Sequence, residues 1–117
     1  PSMLTAQVLR NIYDSEGTVR INELEEKTGY SARTLQRQFG ADMGMSPKAF
    51  CRIIRCQSAV YGLNHREEVT FSDLACDLGF SDQSHFLREF KKLVHTTPLD
   101  YLTRVKHQNY LESIQYL

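Results

Sequence analysis

The sequence lacks several features that define other classes of protein. It has no apolar run near the roughly 20 residues that a membrane-spanning helix needs, and its N-terminal stretch lacks the charged, apolar and small-residue zones of a signal peptide. Its three cysteines, Cys51, Cys56 and Cys76, form no CxxC pair, and its four histidines have no zinc-ligand spacing. We therefore expect a cytoplasmic chain with reduced cysteines and no metal.

Catalytic motifs are also missing. No serine, histidine or aspartate belongs to a recognisable nucleophile elbow, phosphate loop or paired-carboxylate arrangement. We expect no enzymatic activity and no cofactor. With 117 residues, 41% hydrophobic and 24% charged, the chain fits one compact domain or two very small helical units, and a disordered tail fits poorly.

An excess of one charge sign is likewise absent, because 14 Lys and Arg balance 14 Asp and Glu. The charges are nevertheless unevenly distributed. Residues 31–61 hold five basic residues against one acidic residue, a net charge of +4, and residues 81–106 hold five against three, a net charge of +2. The remaining segments are net acidic, so the sequence predicts two basic patches.

Helix signals follow one another along the whole chain. Apolar residues recur at helical spacing over residues 4–15, and Gly17 ends that pattern. Ser and Thr N-caps, glycine stops and Pro47 at a first helical position delimit further segments. The helices predicted after the first are a short one closed by Gly29, one from Ser31 to Gly44, a linking helix at 47–62, one opened by Thr70, one at 82–94 and a last one from Pro98.

The predicted fold class is all-α, with about seven helices, since no period-two run of β-branched residues indicates a strand. The predicted domains are a first subdomain at 1–46, the linking helix at 47–62 and a second subdomain with a C-terminal tail at 63–117. Leu111, Ile114 and Leu117 lie at helical spacing in that tail, which predicts an extension of the last helix.

An internal repeat organises the chain. A shift of 50 residues, and of 51 after one inserted residue, superimposes its two halves. The matched pairs are Ile21/Phe71, Leu24/Leu74, Gly29/Gly79, Tyr30/Phe80, Ser31/Ser81, Leu35/Phe86, Arg37/Arg88, Phe39/Phe90, Ser46-Pro47/Thr97-Pro98 and Phe50/Tyr101. The chain is therefore a duplicated motif.

Each copy has the layout of a helix-turn-helix, in which the second helix enters the DNA major groove. The candidate recognition helices are residues 32–43 and 82–94. A helical repeat that only builds a core is the alternative, since glycine between helices and aromatics four residues apart are common in bundles. The polar faces opposite the apolar stripes favour DNA binding, because Arg and Gln match base edges while a solvated face more often carries Glu and Lys.

Six residues are the candidates for contact with bases. They share the polar faces of the two recognition helices: Arg33, Gln36, Arg37, Ser84, His85 and Arg88. For Arg37 and Arg88 a phosphate contact or an internal salt bridge are the alternatives, and His85 and Gln36 could be merely exposed. A histidine contact would make binding pH-sensitive.

Seven further residues are candidates for phosphate contact. Long cationic side chains and small polar ones both suit that role. They are Ser31, Lys48, Arg52, Arg55, Gln83, Lys91 and Lys92. Each of the cationic ones could alternatively be an ordinary solvated charge.

Stretches in both copies resemble the signature of the AraC/XylS family of bacterial transcription regulators. The second copy resembles it from Gly79 to Lys92 and again from Thr97 to Tyr101. The first copy resembles it from Gly29 to Phe39 and from Gly44 to Phe50, and Arg55 and Ala59 of the linking helix also fit. The resemblance covers roughly residues 4–104. It implies two homeodomain-like helix-turn-helix units joined by one long helix, with the recognition helices in successive major grooves and the six candidates at the base-facing positions.

The sequence departs from the family pattern at four positions. Glu25 stands in place of alanine, Gly40 in place of lysine, His95 in place of glycine and Leu102 in place of arginine. A helix-ending glycine usually has positive φ, which histidine tolerates less well. We therefore expect the helix before His95 to end differently or to fray.

The resemblance also implies partners. Double-stranded DNA is the main one, RNA polymerase is a second candidate, and an effector-binding or dimerisation domain is expected elsewhere on the same polypeptide. Because DNA is the main expected partner, the resemblance also implies that the protein is located in the cytoplasm in association with the nucleoid. The rival hypothesis is a helical protein-interaction module that has lost DNA binding, which the zero net charge makes conceivable.

Overall fold

The computed structural model describes residues 1–65, 68 and 70–115, with side chains described up to residue 105 and at 108. Within these residues the chain forms seven helices and no strand, which confirms the all-α prediction. The helices are α1 (Met3–Asp14), α2 (Ile21–Thr28), α3 (Ala32–Met43), α4 (Pro47–His65), α5 (Phe71–Asp77), α6 (Gln83–Val94) and α7 (Pro98–Gln115).

The helices form two compact units, which divide between Ser58 and Ala59. The first unit holds α1 to α3 and the start of α4, and the second holds the end of α4 and α5 to α7. Each unit therefore contains one copy of the sequence repeat. The tail is helical to Gln115, as its apolar spacing predicts, and Leu117 lies outside the described residues.

The core of the first unit is built by the residues that the helical spacing selects. Val8 and Ile12 of α1, with Leu35 and Phe39 of α3, are each 0% exposed. Phe39 meets Phe50 of α4 edge-on, with ring centroids 5.8 Å apart. Full burial of side chains of this size stabilises by about 1.5–3 kcal/mol each. The buried stripe of α3 fixes which of its faces points outward.

The core of the second unit repeats this plan with more aromatic side chains. Leu74 of α5 and Phe86 and Phe90 of α6 are each 0% exposed. The ring of Phe80 lies edge-on to Phe86 at 5.2 Å, and Phe86 lies 5.8 Å from Phe90. The equivalence of Leu35 with Phe86 and of Phe39 with Phe90 is thus visible in the packing.

Two predicted helix ends are wrong. α4 continues to His65 rather than ending at residue 62. Gly62 is buried, as are Ala59 and Leu63, three and one positions away, so it belongs to the packed face of α4 and does not stop the helix. Asn64 lies inside α4, and its Oδ1 accepts a hydrogen bond of 2.9 Å from the Tyr101 hydroxyl.

The end of α6 differs from the prediction as well. His95 takes the left-handed conformation itself, with φ of 66°, and its N–H donates to the Lys91 carbonyl at 2.9 Å. The helix therefore ends in the same kind of cap as α2 and α3, which Gly29 and Gly44 close with φ of 77° and 73°. The hydrogen bond holds the histidine in a conformation that costs about 1–2 kcal/mol for a residue with a Cβ.

Candidate nucleic-acid interface

The outward face of α3 carries the first set of predicted base-contacting residues. Ser31 caps the helix, and its Oγ accepts from the Thr34 N–H at 3.2 Å. Because Leu35 and Phe39 are buried beneath the helix, Arg33, Gln36 and Arg37 are exposed. The structure thus brings these three side chains to solvent on one short helix. The Ser31 hydroxyl also donates to Thr34 Oγ1 at 3.1 Å, so it is engaged within its own cap.

The turn that leads into α3 is closed by hydrogen bonds from α2. The Glu25 carbonyl accepts from the Gly29 N–H at 2.9 Å, and Thr28 Oγ1 accepts from the Tyr30 N–H at 3.2 Å. The Glu25 side chain then crosses the turn, and its Oε2 accepts from the Ala32 N–H at 3.0 Å. The first turn of α3 is therefore fixed to α2 by a side chain as well as by the backbone.

The other end of α3 is tied to α1 through Asp42. Its Oδ2 accepts from the Thr5 hydroxyl at 2.6 Å, from the Ser2 N–H at 3.0 Å and from Gln38 Nε2 at 3.2 Å. These hydrogen bonds, that from Thr5 foremost, hold the pKa of the Asp42 carboxyl well below its usual range. The single acid of the first basic block is thus committed to a structural contact.

The outward face of α6 carries the second set of predicted DNA-contacting residues. Asp82, rather than Ser81, caps this helix, and its Oδ1 accepts from the His85 N–H at 2.7 Å. Phe86 and Phe90 are buried, and the side chains on the opposite side are exposed. The exposed predicted residues are Gln83, Ser84, Arg88, Lys91 and Lys92. Arg88 occupies the position on α6 that Arg37 occupies on α3.

His85 is held within its own unit. Its Nδ1 accepts from the Ser81 N–H at 3.2 Å and lies 3.1 Å from Ser81 Oγ, and its ring stands edge-on to Phe80 at 5.3 Å. Nε2 lies 3.6 Å from a Glu89 oxygen, and the His85 side chain is 29% exposed. Because Nδ1 accepts from an N–H, the neutral ring carries its proton on Nε2. The structure thus gives both ring nitrogens neighbours inside the second unit.

The predicted phosphate-contacting residues of α4 differ in exposure. Lys48 is exposed, whereas Arg52 and Arg55 are half-buried. Arg55 packs closely against the turn after α1, since a Cβ added to Gly17 would lie 2.9 Å from its Cγ. Burial raises the pKa of the Cys51 thiol, and the charge of Arg55 partly offsets that shift. Of these three side chains, only that of Lys48 is exposed.

Two side chains in this region were missed as site residues. Glu25 was recognised only as a departure from a family pattern, and Asp42 only as a charge in a basic block. Both act through contacts between helices, Glu25 across seven residues and Asp42 across 37 to 40. For Glu25 a signal existed, because a carboxylate shortly before a predicted helix N-terminus suits the dipole of that helix.

Among the residues whose side chains are described, no group of three or more His, Cys, Asp or Glu could hold a metal ion. Cys51 and Cys56 are buried and Cys76 is exposed, and all three are free thiols. None of the described helices has the length and apolar character needed to cross a membrane.

Comparison with known proteins identifies the class to which this fold and these two helix faces belong. A family described as a helix-turn-helix domain matches residues 24–104. A probable AraC family transcriptional regulator from Rhodopseudomonas palustris has a similar structure, with a TM-score of 0.79 and 29% identity over 89% of this chain and 98% of that one. The DNA-binding domain of AdpA, solved in complex with a target DNA, has the same fold, with a TM-score of 0.80 and 18% identity over 92% of this chain and 96% of that one.

The chain thus contains a domain of the helix-turn-helix class. It belongs to the AraC-type family of that class, which confirms the resemblance found in the sequence. An uncharacterized HTH-type transcriptional regulator from Staphylococcus aureus is 33% identical over 81 residues, which cover 69% of this chain. The chain spans only 11% of the length of that relative.

Proposed function

We propose that the chain binds double-stranded DNA sequence-specifically with α3 and α6, each inserted into one of two successive major grooves. The observation that carries this proposal is the structural equivalence of Arg37 and Arg88. They hold equivalent positions in the repeat, each exposed on a helix whose opposite face is fully buried. Arginine can bind the O6 and N7 acceptors of guanine with two hydrogen bonds, which is the commonest specific contact in the major groove.

The remaining residues complete the proposed interface. Arg33 and Gln36 flank Arg37 on α3, and Ser84 and His85 precede Arg88 on α6 as further base-contacting residues. The proposed phosphate-contacting residues, which set the register of each helix on the duplex, are Ser31, Lys48, Arg52, Arg55, Gln83, Lys91 and Lys92. Binding involves no catalysis, because the proposed interface holds donors and cations and no arrangement for bond cleavage.

The proposed parent protein is a transcription regulator with further parts. The much greater length of the Staphylococcus aureus relative supports an effector-binding or dimerisation domain on the same polypeptide. RNA polymerase is the proposed protein partner at a promoter, and the nucleoid within the cytoplasm is the proposed location.

If a separate domain supplies dimerisation, this chain alone should sediment as a monomer at micromolar concentration. A stable dimer in sedimentation would contradict the assignment of dimerisation to another domain.

Selection from randomised duplexes, followed by a salt titration on the enriched site, tests the function. We expect enrichment of one motif long enough to span two adjacent major grooves. We also expect the logarithm of the binding constant to fall linearly with the logarithm of salt concentration, by about 0.9 per phosphate contacted. Absence of both enrichment and salt-dependent binding would move the assignment to a protein-interaction module.

A further inference from the structure

The contact between Glu25 and α3 has no counterpart at the equivalent position of the second unit, residue 75. In the first unit Glu25 Oε2 accepts from the Ala32 N–H at 3.0 Å. The repeat places Ala75 at the equivalent position, where it is 2% exposed and has no side-chain acceptor. The second unit fixes its turn differently, since its Phe80 is 7% exposed within the core, whereas the equivalent Tyr30 is 52% exposed.

Glu25 also determines what the start of α3 can bind. The first N–H groups of a helix have no partner within the helix, and together with the helix dipole they attract anions. In α3 the Ala32 N–H donates to Glu25 and the Thr34 N–H donates to Ser31 Oγ. The protein's own carboxylate oxygen therefore occupies the place at the Ala32 N–H that a phosphate oxygen could take.

The same contact orients the first turn of the recognition helix. Arg33 follows Ala32 directly and Arg37 lies one turn further on, so movement of this turn would shift the backbone that carries both arginines. Asp42 already fixes the far end of α3 to α1. With Glu25 in place, α3 is held by a carboxylate at each end, one from a neighbouring helix and one of its own.

We propose that Glu25 is a positioning residue for base recognition by the first unit. Its carboxyl oxygen fixes the N-terminal turn of α3 to α2 and keeps a phosphate away from the Ala32 N–H, so that discrimination depends on Arg33 and Arg37 rather than on a phosphate held at that N–H. This inference rests on the proposed DNA binding. It assigns a specific role to the residue at which the sequence departs from the alanine of the family pattern.

Three variants separate the parts of this proposal. Glu25→Gln keeps a carbonyl acceptor for the Ala32 N–H and removes the charge. Glu25→Ala removes both and installs the residue found at position 75. Glu26→Gln is the matched control, because Glu26 is an exposed carboxylate on the same helix.

The first measurement uses the free protein and needs no DNA. Amide hydrogen exchange at Ala32 is expected to accelerate about fivefold in Glu25→Ala, the equilibrium factor of one net hydrogen bond, and to change little in the two glutamine variants. Unchanged exchange in Glu25→Ala would overturn the proposal at its structural step, whatever the chain does with DNA.

The second measurement compares affinity for the best selected site with affinity for a random duplex. Glu25→Ala should lower that ratio by about fivefold, through tighter binding to random DNA and poorer recognition of the site. Glu25→Gln should keep the wild-type ratio and gain no more general affinity than Glu26→Gln. A wild-type ratio in Glu25→Ala, or an equal loss in Glu25→Gln, would overturn the proposal, whereas a wild-type protein without any preference would overturn the proposed function itself.

Discussion

At the scale of single residues, the proposed interface contains two kinds of side chain: those that contact bases and those that contact phosphates. Arg37 and Arg88 rise from the middle of well-packed helices, where their positions are defined by the burial of Phe39 and Phe90. Lys91 lies one turn after Arg88 and is equally exposed. These positions provide a direct test of the two roles on the same protein.

Arg37→Ala and Arg88→Ala should each weaken binding to the selected site by about 1–3 kcal/mol while changing affinity for random DNA much less. Lys91→Ala should weaken binding to all sequences to a similar extent and flatten the salt dependence by about one unit. Fluorescence anisotropy on both duplexes over a range of salt measures these changes. Equal losses on random DNA from the arginine variants would contradict base recognition.

Two glycines of the first unit predict opposite effects of the same substitution. Gly17 has φ of 81°, and a Cβ there would collide with the Cys51 carbonyl and lie 2.9 Å from the Arg55 backbone nitrogen. Gly40 is helical, and nothing lies within 4 Å of its added Cβ. Gly17→Ala should therefore lower the free energy of unfolding by more than about 1 kcal/mol, and Gly40→Ala should raise it by about 0.5–1 kcal/mol.

Chemical denaturation of both glycine variants measures this difference. A stabilised Gly17→Ala would show that the turn after α1 does not pack against α4 in this way. Gly40→Ala has a second use on DNA, because it lies one turn beyond Arg37 on α3. If Gly40→Ala lowers the affinity for DNA without lowering the free energy of unfolding, the helix backbone approaches DNA closely at Gly40.

Asp42 predicts a dependence of stability on pH. Its pKa is lower in the folded chain than the roughly 3.9 of an unfolded aspartate, so its hydrogen bonds stabilise the fold above that pH and are lost as the pH falls towards the folded value. Asp42→Asn should be less stable than wild type at pH 7, and the difference should shrink below about pH 4. Thermal unfolding at both pH values measures it, with Glu26→Gln as the control; a constant difference would contradict the assigned contacts.

At the scale of helices, local sequence predicts starts and stops where one residue type has a clear role. The structure confirms Ser31 as a helix cap and Gly29 and Gly44 as helix ends in the left-handed conformation. It also buries Leu35 and Phe39, the apolar stripe of α3. The same reasoning fails where a contact with another helix determines the helix end or the hydrogen-bond partner. Gly62 lies in the packed face of α4 instead of ending it, and Glu25 reaches the N–H of a residue on the next helix.

The end of α6 gives a prediction at this scale. His95 holds a left-handed conformation that glycine adopts without penalty. His95→Gly should raise the free energy of unfolding by up to about 1 kcal/mol, because relief of the strain exceeds the greater entropy that glycine loses on folding. Denaturant titration measures the change. A destabilised His95→Gly would mean that the imidazole makes a contact worth more than the strain.

The predicted interface also shows the limits of pattern alone. The sequence identifies the outward faces of α3 and α6 because polar residues alternate with the buried stripes at helical spacing. It does not reveal that the His85 ring accepts from the Ser81 N–H, or that Arg55 packs against the turn at Gly17. The Arg55 contact depends on how the chain folds back on itself, and the contact between Ser81 and His85 depends on the orientation of the imidazole ring; periodicity encodes neither.

At the scale of the whole chain, an uneven distribution of charge reconciles zero net charge with the proposed binding of DNA. The basic residues are concentrated in residues 31–61 and 81–106, which include the two exposed recognition faces. Acidic residues lie mainly in the other segments. Because electrostatic attraction to DNA falls off within about 10 Å at ordinary salt, the local charge of each face matters more than the total.

If the proposed function is right, each unit reads its own segment of DNA through one helix. Repeating the selection from randomised duplexes with wild type, Arg37→Ala and Arg88→Ala measures this division. We expect a wild-type motif of two parts with centres about one helical turn apart, of which Arg37→Ala makes one part less defined and Arg88→Ala the other. A motif of one part, or the same positions blurred by both substitutions, would contradict it.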